Sequence, residues 1–111
     1  MPRKSVSDMS LSAVYGALLQ KAQRKGRTKE ELDAVIFWLT GHDVNVLDPD
    51  MTYGEFFRTA PAYTPRAELI TGKVCGIQVE SIEDPLMKRV RQLDKLVDEL
   101  AKGRPMEKIL R

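Results

Sequence analysis

The sequence holds one cysteine, Cys75, one histidine, His42, and one tryptophan, Trp38. A lone cysteine excludes an internal disulfide, and with a single histidine beside it there are too few soft ligands for a Cys/His metal centre. No metal or other cofactor is expected. The longest uninterrupted apolar run, Ala34 to Leu39, is far short of the ~20 residues that span a bilayer. The basic start Met1-Pro2-Arg3-Lys4-Ser5 leads into no apolar stretch, so it does not read as a secretory signal. Together these absences predict a cytoplasmic protein with no membrane partner. Internal repeats and low-complexity segments are missing as well.

What is present is the composition of one globular domain over 1–111, with 42% apolar and 31% charged residues. The net charge of +2 conceals an uneven distribution. Residues 1–29 carry seven Lys/Arg and one Asp, whereas 30–56 carry seven Asp/Glu and no Lys/Arg. The remainder has eleven basic and eight acidic residues. Blocks of alternating sign favour a self-complementary surface over a nucleic-acid footprint, which wants clustered positive charge.

Helix signals dominate. Ser10 is a suitable N-cap for Leu11, Val14, Tyr15, Leu18 and Ala22 at helical spacing, and Gly26 is a suitable stop, giving a first helix over about 11–25. Thr28-Lys29-Glu30-Glu31 is a capping box that opens a second helix with Leu32, Val35, Ile36 and Leu39 as its apolar stripe and Gly41 as its end. The two should form a helical hairpin. Asp43 is placed to cap one turn through Val44 and Leu47, and Thr52-Tyr53-Gly54-Glu55 reads as another capping box opening a short helix that Pro61 stops. Asp84 and Pro85 start the last helix, in which Leu86, Val90, Leu93, Val97 and Leu100 form a heptad seam that runs to Gly103. Pro105 can start a final turn that docks Met106, Ile109 and Leu110. The strand signal lies over 73–80, with Cys75, Ile77 and Val79 alternating onto one face. Its partner is expected to be Lys4-Ser5-Val6-Ser7, Leu69-Ile70 in a hairpin, or the same strand of a second subunit. The fold class is therefore α+β, mostly helical, with four or five helices and a minimal strand or hairpin near 69–80.

Several runs resemble a small bacterial family, domain-of-unknown-function family 2200. They are Lys21 to Leu32, Trp38-Leu39-Thr40-Gly41, Ile70 to Gly76, Ile82 to Met87, Leu93 to Gly103 and Met106 to Arg111. The chain departs from the family pattern in its first ten residues and over 43–52, where Pro49 stands in a stretch expected to be more helical. The resemblance implies a stand-alone protein and assigns no catalytic or binding residue.

Four constellations can be weighed for chemistry. Cys75 and His42 would pair as nucleophile and base, but a cysteine on the apolar face of a strand usually acts as a small hydrophobe, and His42 suits a helix C-terminus by charge and dipole. Glu80, Glu83 and Asp84 would supply acid–base or cation-binding groups beside a pocket near Cys75, but Asp84 already has a capping role. The basic turn Lys21, Arg24, Lys25, Arg27 and Lys29 would meet phosphates, but the helix after it opens with Glu30, Glu31 and Asp33. Phe37 and Trp38 widen the apolar arc of the second helix, as a central or a partner-covered helix would. Thr71-Gly72-Lys73 lacks the glycine spacing, hydroxyl and following helix of a phosphate loop. No catalytic set is complete. The leading expectation is a non-enzymatic interaction domain that self-associates as a dimer. The alternative is a small enzyme or ligand-binding protein with its pocket near Cys75 and Glu80–Asp84. Nucleic-acid binding through Lys21–Lys29 is the weaker alternative.

Overall fold

A computed structural model describes residues 8–48, 50–74 and 76–110. Cys75, Pro49 and the Lys4–Ser7 strand candidate lie outside the described residues. Ser10 caps α1 (Leu11–Arg24) by accepting from the Ala13 amide. At its far end the chain turns at Gly26 into α2 (Lys29–Thr40). The Thr28–Glu31 capping box is present in both directions, so two amides that the helix itself leaves open are satisfied. Asp43 caps a single 3-10 turn, Val44–Val46. Thr52 then opens α3 (Tyr53–Arg58) by accepting from the Glu55 amide. An antiparallel bridge between Ser10 and Thr52 ties the start of α3 to the start of α1, with Leu11 donating to the Met51 carbonyl and Tyr53 to that of Met9.

The expected strand over 73–80 does not form as one element. It folds back on itself as β1 (Lys73–Val74) and β2 (Ile77–Gln78), antiparallel, with Val74 opposite Ile77. The reason lies at Gly76, whose φ of 76° is left-handed and reverses the chain. The strand therefore finds its partner three to five residues away. Leu69-Ile70 is not that partner, because Pro65–Leu69 forms a 3-10 turn. The anticipated alternation also fails: Val79 is buried in the next 3-10 turn, while Ile77 is 39% exposed.

The last helix, α4 (Pro85–Ala101), is the axis of the fold. Val90, Leu93, Val97 and Leu100 of the seam are buried, and so are Leu96 and Ala101 outside it. The buried arc is thus wider than a two-stranded seam, because α4 packs against α1, α2, α3, β1 and the closing turn α5 (Met106–Ile109) at once. Leu32, Val35, Ile36 and Leu39 of α2 meet it from one side, and Phe56 and Phe57 of α3 from another. Ile109 closes the same apolar cluster.

Candidate functional site

The sequence candidates are separated by the fold into local structural tasks. His42 is buried directly after α2. Its Nε2 lies 2.8 Å from the Phe56 carbonyl oxygen, and its ring stacks on that of Phe56 at 4.8 Å. It ties the end of α2 to α3 by packing and hydrogen bonding, where the sequence suggested charge and dipole alone. Asp84 caps α4, accepting from the Leu86 amide at 3.1 Å. Glu80 fastens the small hairpin: its Oε2 accepts from the Gly72 amide at 2.9 Å and its Oε1 from the Gln78 side-chain amide at 2.7 Å. Glu83 is exposed beside them. No cluster of three or more metal-ligating side chains occurs among the described residues.

The basic turn is largely neutralised within the chain. Lys21 pairs with Asp98 of α4, Arg27 with Glu31 and Lys29 with Asp33. Asp33 also accepts from the Tyr15 hydroxyl at 2.5 Å, and Lys29 donates to Asn45 at 3.0 Å. Burial first, and then the Asp33 carboxylate, push the Tyr15 hydroxyl up to about 12. It therefore stays a donor at neutral pH and clasps α1 to α2.

Two surface hollows emerge from the tertiary packing. The first is a hollow of about 590 Å³ on the outer side of α2, floored by Phe37, Trp38, Ala34, Ala62 and Leu110. Phe37 is 60% exposed there. A neighbouring hollow of about 370 Å³ shares Ala34 and Phe37 and is bordered by Glu30, Asp33 and Asp43. The apolar floor therefore has one acidic border.

The second is a cleft of about 380 Å³ between the Pro65–Leu69 turn and the first turns of α4. A chain of contacts builds it. The Arg89 guanidinium lies over the Tyr63 ring at 4.1 Å, a cation–π geometry, and donates to the Phe57 carbonyl at 2.8 Å. The Tyr63 hydroxyl donates to the Gln92 side-chain oxygen, and the Gln92 amide donates to the Ala67 carbonyl at 3.3 Å. Gln92 is only 3% exposed, so these bonds are what make its burial tolerable. Lys88, Glu68, Pro65 and Pro85 complete the lining. Burial raises the Tyr63 hydroxyl far above its ordinary value, so it too remains protonated.

Both features form from residues far apart in the chain. A solved crystal structure, that of the uncharacterized protein SP1917, is 49% identical in sequence and superposes with a TM-score of 0.90, covering 98% of this chain and 94% of its own. No curated protein matches. A family model described as an uncharacterized protein conserved in bacteria, DUF2200, matches residues 5–111. The chain belongs to that bacterial family.

Proposed function

We propose that the chain is a non-enzymatic interaction domain that self-associates as a two-fold dimer through the outer face of α2. Three sequence features favour self-association: an unpaired strand, a helix apolar over a wide arc, and a heptad seam. The first two-stranded pairing is satisfied by the turn at Gly76, and the seam is covered by the chain's own helices. The wide apolar arc of α2 remains. Phe37, at 60% exposure in the middle of an otherwise well-covered helix, is the observation that carries the proposal. Large aromatic side chains lose most when left in water and contribute most at interfaces.

A second copy is the occupant favoured by charge. The floor around Phe37 is bordered by Glu30 and Asp43, with Asp33 beside them already paired with Lys29. The same chain supplies Arg24 and Lys25, which enter no ion pair among the described residues. Two copies can thus offer each other apolar surface and opposite charge. A non-enzymatic reading is supported by the structural engagement of His42, Glu80 and Asp84. A cytoplasmic location goes with it: the chain has a single cysteine, and among the described residues no helix is long and apolar enough to cross a membrane.

Sedimentation equilibrium at micromolar concentration tests the proposal. A dimer that Phe37→Glu converts to a monomer of 12.6 kDa, with an unchanged melting temperature, is expected. A wild-type monomer across the whole range overturns self-association. A dimer that survives Phe37→Glu overturns this face as the interface.

A further inference from the structure

The cleft beside α4 collects cationic side chains that enter no close ion pair among the described residues. On the far side of Arg89 lies a smaller hollow of about 190 Å³, which shares Pro85 and Arg89 with the cleft and adds Arg58. Arg58, Lys88 and Arg89 thus line two adjoining hollows whose linings include one acid, Glu68. Ion pairs occupy Lys21, Arg27, Lys29, Arg91 and Lys102, but none joins Arg58, Lys88 or Arg89 to a carboxylate among the described residues.

Arg89 is held without being neutralised. The Phe57 carbonyl and the Tyr63 ring fix its position and carry no formal charge. The Phe57 contact uses one N–H of the five that a guanidinium offers. Tyr63 is itself locked by Gln92, and Gln92 by Ala67. A fixed guanidinium binds a planar or tetrahedral oxyanion without first losing side-chain entropy. Pro65, Pro85 and Ala67 give the cleft an apolar wall, and its volume of about 380 Å³ lies at the lower end of the range for small-molecule sites, about 300–1,000 Å³.

We propose that this cleft binds a small organic oxyanion, a carboxylate or phosphate compound, with Arg89 as the anchor and Lys88 and Arg58 as flanking cations. Glu68 opposes it, limiting how much negative charge the ligand can carry. Arg89 and Phe37 line different depressions, although the two share Thr64 and Pro65 at their common edge.

Amide NMR titration of the full chain tests it, with inorganic phosphate and succinate as probes and sodium chloride at equal ionic strength as the control. Saturable shifts confined to 63–69 and 85–92 are expected with at least one probe, and the responsive probe separates phosphate from carboxylate ligands. Lys88→Gln should weaken the response about two- to fivefold, the range for a partly exposed charge. Glu68→Gln should strengthen it. Both side chains are dispensable for the Arg89–Tyr63–Gln92 framework, so folding is not at stake. Shifts that do not saturate, that match the chloride control, or that are indifferent to both substitutions overturn the proposal.

Discussion

A Cβ placed on Gly41 would fall 2.8 Å from the Cβ of Ala62 and 2.9 Å from its backbone nitrogen. The contact exists because the segment after α3 runs back along the end of α2. Ala62 donates to the Thr40 carbonyl at 3.1 Å and Thr64 to the Leu39 carbonyl at 2.9 Å, so two carbonyls left open by the helix end are paired. Gly41 also has a φ of 80°. Gly41→Ala therefore combines a left-handed conformation, about 1–2 kcal/mol for an L-residue, with a backbone clash. A loss of at least about 2 kcal/mol in urea unfolding is expected. A loss below about 1 kcal/mol would show that the 60–64 segment yields.

His42→Ala should be destabilising by about 1–3 kcal/mol, through the lost bond to the Phe56 carbonyl and the lost ring contact. Differential scanning calorimetry reads this as a lower melting temperature. A neutral effect would free His42 for another role.

Tyr53 has the opposite sign. It is 1% exposed, and its hydroxyl has no hydrogen-bond partner among the described residues. Its ring packs on Phe56 and Phe57, and those contacts survive loss of the oxygen. Tyr53→Phe should be neutral or stabilising by up to about 1–2 kcal/mol, because a buried, unpaired hydroxyl costs its desolvation. Destabilisation by more than about 1 kcal/mol in chemical melts would reveal a hidden partner for the oxygen.

Glu80 links the hairpin to pH. The Gln78 side-chain amide is the largest cause, with backbone amides including that of Gly72, holding its carboxyl below the ordinary carboxylate value. A depressed folded-state value gives a contribution that is present above the ordinary range and lost as pH falls through the lowered value. Exchange of the Gly72 amide should accelerate on that acid limb. In Glu80→Gln the acceleration should vanish. A wild-type Gly72 amide indifferent to acid would remove Glu80 from the hairpin's support.

The helices were legible because their determinants are local. Ser10, Thr28 and Asp84 act within three residues of themselves, and glycines beyond α1 and α2 mark where each helix cannot continue. The β structure near 69–80 is legible, but a β-branched run with an internal glycine fits either one strand or two, and the left-handed φ of Gly76 decides between them. The cleft could not be read at all. Phe57 and Arg89 are 32 positions apart and Tyr63 and Gln92 are 29 apart. Neither pair belongs to a recurring sequence pattern, so only tertiary packing brings them together. Phe37 was flagged by its place on α2, yet its exposure depends on what the chain fails to lay over it.

The central place of α4 has a consequence for synthesis. A nascent chain that ends before Pro85 has already made α1, α2 and α3, with Leu32, Val35, Ile36, Leu39, Phe56 and Phe57 prepared for a helix that does not yet exist. Those faces stay open to water, or to a chaperone, until the final quarter of the chain leaves the ribosome. Truncation anywhere in α4 would leave the same apolar surface exposed for good, and such products should be removed by proteolysis rather than accumulate as shorter folded forms.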